Sequence, residues 1–379
     1  MTKEVFITQT NCITPIGFDV ATNMKNIDGG VSGIQLHQNT GLMKESFYAS
    51  QIDDENLNTA FAKVTAATGF SRLEKMMILA LDPIIKKANL VLDDRTAFVL
   101  STTKGNITAL QNSAIEDNTN AYLHQFAQNI ADYFKFKTEP IVISNACVSG
   151  VLAISVAKRL IESGMYDDVF IVAGDEISEF VLSGFNSFQA MSNLPCKPYS
   201  KNRTGVTLGE AAAAVLVSSN KEGVKVKIIG DGSINDANHI SGPSRTGEGL
   251  FRSIKSALIE ANIEAAAIDY ISAHGTATPF NDEMEAIAFN RLQLEKAPVN
   301  SLKGYYGHTL GASGLLETVI GIQSVLENKL LATMGFDELG VSQDINVIKE
   351  NGTKNSRYFL KTASGFGGCN TAVLFEKIN

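Results

Sequence analysis

Cys147 is the residue of this chain whose surroundings best suit a nucleophile. It lies in Val142-Ile-Ser-Asn-Ala-Cys-Val-Ser-Gly150, between an apolar run with strand character and an apolar run with helix character. A thiol there would face a helix N-terminus, where unpaired N–H groups and the helix dipole favour the thiolate. The alternative is a small, inert, buried cysteine, which is the commoner use of this residue.

Two of the five histidines stand in loops of small residues that could reach such a thiol. His274 lies in Ser272-Ala-His-Gly-Thr-Ala-Thr278, just past a predicted strand. His308 lies in Gly307-His-Thr-Leu-Gly-Ala-Ser, just before a predicted helix. A lone histidine is more often structural, but a cysteine with two histidines at strand ends suits nucleophilic catalysis. His37 and His124 have no such context, and we assign them no role.

The turn Gly365-Phe-Gly-Gly368 superficially resembles a phosphate-binding loop. It precedes a strand and no Gly-Lys-Ser/Thr follows it, which argues against phosphate binding. We expect it to allow close backbone approach and to donate an N–H to an oxyanion.

Composition narrows the classes of function. The chain has 379 residues, 44% of them hydrophobic, and a formal net charge of −8 without a long basic run, so a nucleic-acid surface is not expected. The sequence shows neither a signal peptide nor an 18-residue apolar span, so we expect a cytoplasmic protein that is not inserted in a membrane. Its four cysteines form no C-x-x-C pair, which disfavours disulfides and structural zinc.

Strand-like and helix-like segments alternate along the chain, as in an α/β fold with parallel strands. The predicted helices are Leu73–Lys87, Val148–Ser163, Leu250–Ala261 and Ser313–Glu327. The predicted strands are Val5–Thr8, Thr96–Ser101, Glu139–Ser144, Val169–Ala173, Ala211–Val217, Tyr270–Ala273, Pro298–Ser301, Tyr358–Lys361 and Thr371–Phe375.

An internal repeat indicates duplication. Ser149-Gly-Val-Leu152 and Ser313-Gly-Leu-Leu316 each open a predicted helix, and Ala214-Val-Leu-Val217 and Ala372-Val-Leu-Phe375 each end a half. Duplicated sheets would place equivalent loops face to face at the C-terminal ends of their strands, where open α/β sheets carry their chemistry. We therefore expect an N-terminal half of residues 1–220 with the cysteine, and a C-terminal half of residues 221–379 with both histidines.

Four motifs in order give the chain a specific resemblance. Asn145-Ala-Cys-Val-Ser-Gly150, Ala273-His-Gly-Thr-Ala-Thr278, Lys303 with Gly307-His308, and Gly365-Phe-Gly-Gly368 resemble those of the elongating (type I/II) β-ketoacyl-[acyl carrier protein] synthases of the thiolase superfamily. The resemblance implies a five-layered αβαβα thiolase-like fold of two duplicated halves. It also implies decarboxylative Claisen condensation of a cysteine-bound acyl chain with malonyl-acyl carrier protein.

The resemblance implies roles for individual residues of the site. Cys147 corresponds to the acylated nucleophile, and His274 and His308 to the pair that binds the malonyl thioester carbonyl and stabilises the enolate. Lys303 corresponds to the lysine that supports the second histidine, and Glu317 to a structural glutamate linked to that lysine.

Further roles concern the oxyanion and the carrier arm. The N–H groups of Cys147 and Phe366 would form an oxyanion hole, Phe366 would gate the acyl pocket, and Thr276 and Thr278 would bind pantetheine. The implied partners are acyl carrier protein and a second copy of the chain, or a related ketosynthase in a heterodimer. No cofactor beyond the carrier's phosphopantetheine and no catalytic metal are expected. Possible contacts to the acidic carrier protein are Arg72, Lys75 and Arg203.

The subclass follows from further positions. Chain-initiating synthases carry Asn where His308 stands, and thiolases carry a second cysteine in a later loop. Cys369 follows the Gly365–Gly368 turn, so we expect it to be structural. Chain-length-factor subunits generally lack the nucleophile, and Cys147 therefore favours an active subunit over a non-catalytic scaffold, which remains the alternative.

Some positions depart from the family pattern around the pocket and its entrance. A deletion around Asn193–Lys201 shortens a loop, Ser364 stands where Phe is usual, Ser241-Gly242 replaces Thr-Ser, and Arg203-Thr204-Gly205 replaces Arg-Asp-Gly. These changes leave open whether the pathway is fatty-acid elongation or a specialised polyketide or polyene synthesis.

Overall fold

A computed structural model describes residues 3–111, 119–236, 240 and 242–378. Their helices are α1 (Val20–Asp28), α2 (Asp54–Val64), α3 (Arg72–Ala88), α4 (Leu123–Phe134), α5 (Ser149–Glu162), α6 (Glu179–Ser187), α7 (Glu248–Ala261), α8 (Pro279–Arg291), α9 (Lys303–Tyr306) and α10 (Ser313–Leu326). Their strands are β1 (Val5–Ile13), β2 (Ile34–His37), β3 (Phe47–Ser50), β4 (Thr96–Ser101), β5 (Ile141–Ile143), β6 (Asp168–Asp175), β7 (Leu208–Gly209), β8 (Ala211–Ser218), β9 (Val226–Asn235), β10 (Tyr270–Ser272), β11 (Pro298–Asn300), β12 (Lys329–Leu330), β13 (Asn346–Val347), β14 (Gly352–Thr353), β15 (Tyr358–Gly365) and β16 (Cys369–Lys377).

The main sheet contains the same strand pattern twice. Its order is β13-β11-β10-β15-β16-β9-β1-β8-β6-β4-β5. In the first half β5, β4 and β6 are parallel, while β8 and β1 follow antiparallel. In the second half β11, β10 and β15 are parallel, while β16 and β9 follow antiparallel. The structure therefore contains the duplication that the repeated tetrapeptides predict.

The two half-sheets meet along a short edge. Val5, Phe6 and Ile7 of β1 pair antiparallel with Ile228, Lys227 and Val226 of β9, and this ladder makes the sheet continuous. The expected division of the chain into residues 1–220 and 221–379 stays a prediction, because both halves share this sheet and one central core.

Alternation along the strands explains the layers, since successive side chains of a strand point to opposite faces. In β8, Ala213 and Val215 face a central core around α5 and α10, whereas Ala214 and Leu216 face an outer core with α2, α3 and α4. In the second half, the opposite face of the sheet packs against α7 and α8. Two outer helix layers, two half-sheets and a central helix pair form the expected five-layered thiolase-like fold.

The predicted elements correspond closely to those observed. Thr96–Ser101 is β4 itself, and the predicted helix Val148–Ser163 is α5, one residue shorter at each end. The sequence analysis did not identify β9 or α8. Among the described residues, no helix is both long and apolar enough to cross a membrane.

Candidate active site

Cys147 lies in a tight turn between β5 and α5. Ala146 adopts a left-handed conformation with φ 45°, which costs a non-glycine residue energy and turns the chain sharply into the helix. Cys147 is 7% exposed, and its Sγ lies 3.1 Å from Nε2 of His308. The predicted contact between the nucleophile and a histidine from the other half of the chain is thus present.

The central helix pair brings these two residues together. A Cβ on Gly150 of α5 would lie 2.7 Å from the backbone nitrogen of Leu315, and a Cβ on Gly314 of α10 would lie 2.8 Å from the backbone nitrogen of Val151. The first turns of α5 and α10 can approach this closely only because both positions are glycine. Since Cys147 precedes one helix and His308 the other, this crossing fixes their separation.

His308 is held by both its backbone and its ring. Its N–H donates to the carbonyl of Thr207 at 2.7 Å, and its ring Nδ1 lies 3.0 Å from the hydroxyl of Ser313. That hydroxyl can donate to Nδ1 or accept from it, so either tautomer is supported. Burial, with a contribution from Lys303, lowers the pKa of His308 well below its usual value. The imidazole is therefore neutral at neutral pH.

His274 is positioned by acidic residues of α8. Its N–H and that of Gly275 donate to the two carboxylate oxygens of Glu285 at 2.7 and 2.6 Å. The N–H of Thr276 donates to Asp282 at 3.0 Å. The His274 and His308 rings stand edge to face, with centroids 5.2 Å apart. Burial and then Lys303 lower the pKa of His274 well below its usual value, so this ring is neutral as well.

Lys303 supports the first histidine, which corrects the expectation that it supports the second. Its Nζ donates to the His274 carbonyl at 2.6 Å and lies 3.4 Å from Nδ1 of that ring. An ammonium beside Nδ1 leaves the ring proton on Nε2, from where it can be donated. The expected link to Glu317 is present, at 2.6 Å from Lys303 Nζ to Oε1. The chain turns at Gly307, with φ 66°, between Lys303 and His308.

The Cys147 thiol is less acidic than its place at a helix N-terminus implies. Burial, as the main cause, raises its pKa to about 12, with smaller raising contributions from Cys369 and Asp175. Burial therefore outweighs the help that the helix end is expected to give the thiolate. Since desolvation disfavours the charged form, the thiol needs a proton acceptor. The neutral His308 imidazole stands at hydrogen-bonding distance for that purpose.

A cavity of about 530 Å³ opens onto Cys147, His274 and His308. Phe366 lines it and stacks on Phe185, with ring centroids 5.5 Å apart. Thr276 and Thr278, the expected pantetheine contacts, also line this cavity, and their hydroxyls lie 2.8 Å apart.

The turn that contains Phe366 approaches the Cys147 backbone closely, and the oxyanion hole expected there stays a prediction. A Cβ on Gly365 would lie 3.0 Å from the backbone nitrogen of Cys147 and 3.0 Å from Sγ of Cys369. Glycine at this position therefore allows the turn before Phe366 to pack tightly against the Cys147 backbone. Cys369 packs behind this turn, with Sγ 3.3 Å from the Phe366 carbonyl. This position suits the structural role expected of Cys369.

Several departures from the family pattern line the cavity, among them Thr204, and part of another falls outside the described residues. Ser364 lines the cavity and donates to Asn370 Oδ1 at 2.8 Å, which makes this wall polar where an aromatic ring is usual. Ser241 lies outside the described residues, whereas its neighbour Gly242 lines the cavity.

The three central residues are close enough together to form a metal-binding group. One potential ligand atom from each of Cys147, His274 and His308 lies within 4.8 Å of the others. However, the ammonium groups of Lys303 and Lys361 are buried close by and would repel a dication. The expectation of a metal-free, cofactor-free site remains an expectation.

The proposed carrier contacts are not supported for two of their three residues. The Arg72 guanidinium donates to Glu210 and to the Ile52 carbonyl, both at 2.6 Å. The Arg203 side chain is 8% exposed and donates to the Gly340 carbonyl at 2.6 Å. Both arginines are therefore occupied by internal partners, which corrects the expectation that they face a carrier. Lys75 is partly exposed and donates to Asn58 at 2.8 Å.

Several residues of the site were missed by the sequence analysis. Glu285 and Asp282 hold the His274 loop, and Lys361 shares Glu317 with Lys303. Asp175 accepts from the N–H of Gly311 at 2.7 Å and so joins the end of β6 to the turn before α10. The acidic pair three residues apart after His274 is the only signal that could have suggested a carboxylate support for this loop.

Comparison with known proteins agrees with this arrangement. The model of the beta-ketoacyl synthase N-terminal domain matches residues 2–223, and that of the C-terminal domain matches residues 226–337. The 3-oxoacyl-[acyl-carrier-protein] synthase 2 of Staphylococcus aureus (strain N315) is 26% identical over 411 residues, covering 99% of this chain and 98% of the relative.

Solved structures share the fold along the whole chain. The ketosynthase ApeO of Xenorhabdus doucetiae, in complex with its chain length factor ApeC, has a TM-score of 0.86 at 24% identity and covers 99% of this chain and 98% of its own. The structure AntDE:AntF contains a type II PKS acyl-carrier protein in complex with its ketosynthase. The matched chain has a TM-score of 0.89 at 20% identity, and the match covers 100% of this chain and 100% of that chain. The chain belongs to the β-ketoacyl synthase family of condensing acyltransferases.

Proposed function

We propose that this chain is an active β-ketoacyl synthase that elongates acyl chains held on an acyl carrier protein. Cys147 takes the acyl group as a thioester and releases the carrier thiol. Malonyl-carrier then loses carbon dioxide, and the resulting carbanion attacks the acyl carbon, which forms the new carbon–carbon bond and frees the Cys147 thiol. The observation that carries the proposal is the convergence of Cys147 Sγ with two neutral imidazoles on one cavity.

The first half-reaction requires deprotonation of a buried thiol. His308 Nε2, 3.1 Å from Sγ, accepts this proton when Nδ1 donates to Ser313. The proton then passes to the departing carrier thiolate. The N–H groups of Cys147 and Phe366 stabilise the tetrahedral oxyanion, where each donor contributes about 3 kcal/mol.

The second half-reaction requires stabilisation of an enolate. His274 carries its proton on Nε2 because Lys303 stands beside Nδ1 at 3.4 Å. His308 presents a second Nε2 proton when the Ser313 hydroxyl donates to its Nδ1. Two neutral donors directed at one thioester carbonyl stabilise the charge that develops as carbon dioxide leaves.

The proposed partners are an acyl carrier protein and a dimer mate. The carrier's phosphopantetheine arm would pass Thr276 and Thr278 on its way to Cys147. The solved ketosynthases with similar folds occur with a chain length factor in one case and with an acyl-carrier protein in another. These complexes support both kinds of partner for this chain, and we propose that it works in the cytoplasm.

Decarboxylation of malonyl-acyl carrier protein tests this function, because a non-catalytic chain-length subunit would not turn over. We expect the wild-type protein to release carbon dioxide. His308→Ala should lower this rate at least a hundredfold, since one enolate donor is lost, and should also slow acyl transfer to Cys147, since the thiol loses its proton acceptor. His124→Ala, which alters a residue without an assigned role, is the control. Equal rates for wild type and His308→Ala would refute the assigned role.

A further inference from the structure

Lys361 is a second buried lysine next to the catalytic groups. It lies in β15, in the parallel neighbour of the strand that leads to His274, and its side chain is 0% exposed. Its Nζ lies 2.6 Å from Glu317 Oε2, 3.1 Å from the Ser272 carbonyl and 3.3 Å from the Ala273 carbonyl. Three acceptors match the three protons of an ammonium, whereas a neutral amine has only two.

Glu317 therefore faces two ammonium groups. Its Oε1 accepts from Lys303 and its Oε2 accepts from Lys361, both at 2.6 Å. Two positive charges and one negative charge leave this trio with a net charge of +1. Because the trio is buried, water screens that charge little.

The net charge lies directly behind His274. Lys303 donates to the His274 carbonyl, and Lys361 donates to the carbonyls of the two preceding residues. Lys361 is not among the residues that line the described cavity, so it acts through the His274 loop. An anion that forms at the His274 Nε2–H would experience the positive charge of this trio.

We propose that Lys361 is a positioning residue for the condensation, which gives the trio of Lys303, Glu317 and Lys361 a net positive charge behind His274 and so favours enolate formation. The inference rests on the proposed function and adds a residue to it. Without Lys361, Glu317 would neutralise Lys303, and the enolate would form beside a trio without net charge.

The other charged and titratable groups near Lys361 belong to several elements. Besides Lys303 of α9 and Glu317 of α10, these are Glu285 of α8, His274 after β10 and His308 before α10. Burial, as the largest cause, lowers the pKa of Lys361, while Glu317 raises it and Lys303 lowers it further. As the pH rises, Lys361 should thus lose its charge earlier than an ordinary lysine. The rate of decarboxylation should then fall at alkaline pH.

The first test compares two half-reactions in Lys361→Met. Decarboxylation of malonyl-acyl carrier protein should fall about tenfold because the charge at the enolate is lost, whereas acyl transfer to Cys147 should change less than about threefold. The fall should be smaller at a pH where wild-type Lys361 is already neutral. Lys158→Met is the matched control, because Lys158 is 2% exposed and pairs with Glu162, Asp231 and Glu260 away from the site. In Lys158→Met, the ratio of the decarboxylation rate to the acyl-transfer rate should equal that of the wild type.

The second test restores the charge. In Lys361→Met/Glu317→Gln, Lys303 alone gives the site a net charge of +1, so decarboxylation should recover several-fold relative to Lys361→Met. A purely structural role predicts no recovery, since a second buried contact is removed. Lys361→Gln, which keeps a donor for the Ser272 carbonyl, replaces the methionine variant if that variant does not fold.

Failure of the inference is distinguishable from failure of the proposed function. If the wild-type protein neither accepts acyl groups nor decarboxylates malonyl-acyl carrier protein, the proposed function fails and the inference fails with it. If the wild type turns over, two results overturn the inference alone. One is an unchanged decarboxylation rate in the single variant, and the other is a double variant no faster than the single one.

Discussion

The thiol of Cys147 and the two imidazoles in front of it are almost completely buried, which determines how they can react. Desolvation raises the pKa of the thiol and lowers that of both histidines. All three groups are therefore uncharged at rest. Charge appears only as the reaction proceeds, where fixed hydrogen-bond donors stabilise it better than mobile water would.

Burial also distinguishes cationic side chains that stabilise the fold from those that are free to contact a partner protein. Arg72 is held by Glu210, which is 0% exposed, so removal of Arg72 leaves a buried carboxylate without its cation. Arg72→Ala should lower the free energy of unfolding by about 3 kcal/mol. Lys75→Ala, in the same helix and with its partner at the surface, should change it by less than about 0.5 kcal/mol. Chemical denaturation measures both, and equal losses would show that the Arg72 contacts do not stabilise the fold.

Glu176 gives a pH-dependent contribution to stability with a definite sign. Burial raises its pKa from 4.5 to about 7, so the folded state keeps a proton that the unfolded state releases. The resulting stability is complete below about pH 4.5 and is lost as the pH rises towards 7. Glu176→Gln should therefore gain stability relative to the wild type across this interval. Unfolding curves of both proteins at several pH values check this prediction. A difference in unfolding free energy that does not change with pH would contradict the burial of a protonated carboxyl.

At the scale of elements, the crossing of α5 and α10 positions Cys147 next to His308. The two helices open with Ser-Gly in both halves of the chain, and these glycines lie where the backbones touch. The repeat that indicated duplication in the sequence thus reflects a packing requirement at the active site. Each helix begins just after one partner of the Cys147–His308 contact.

Substitution of one of these glycines should disturb the contact. A Cβ at Gly150 would lie 2.7 Å from a backbone nitrogen that cannot move independently of its helix. Gly150→Ala should therefore destabilise the protein by about 2 kcal/mol and slow acylation of Cys147. In Gly184→Ala the new methyl group meets nothing within 4 Å, so stability should be unchanged or slightly higher. Thermal unfolding and acylation rates test the pair, and similar behaviour of both variants would argue against a tight crossing.

Elements with regular apolar patterns could be predicted from the sequence, whereas β9 could not. Glycines are unfavourable in strands, and β9 contains Gly230 and Gly232. In the structure, a Cβ on either glycine would overlap a carbonyl oxygen of α7. The strand is therefore specified by the helix packed on it, which a local pattern does not reveal.

At the scale of the whole molecule, neither half contains a complete site. Cys147 comes from the first half, while His274, His308 and Lys303 come from the second. Asp175 reinforces the junction, because it accepts hydrogen bonds from Thr103 and from Gly311 across the two halves. The central core contains residues of both half-sheets and of both helices, so the site forms only when the entire chain folds.

The reactive residues of the site could be predicted from sequence because each lies in a short motif. The groups that tune them could not, because Lys361 and Glu285 are distant in sequence from the groups they contact. Lys361 appears in the sequence as an ordinary residue of an apolar strand, and only the fold brings it to Glu317 at 2.6 Å. For the same reason, Arg72 and Arg203 resembled surface cations until their internal partners were visible.

The most direct test of the central claim is the intact mass of the protein after incubation with a panel of acyl-acyl carrier proteins, followed by digestion to locate the adduct. We expect the mass to increase by one acyl group on the peptide that contains Cys147. Cys147→Ala should remain unmodified, and Cys369→Ala should still be acylated because that cysteine only packs behind the turn. An acyl group on Cys369, or one that persists in Cys147→Ala, would contradict the account.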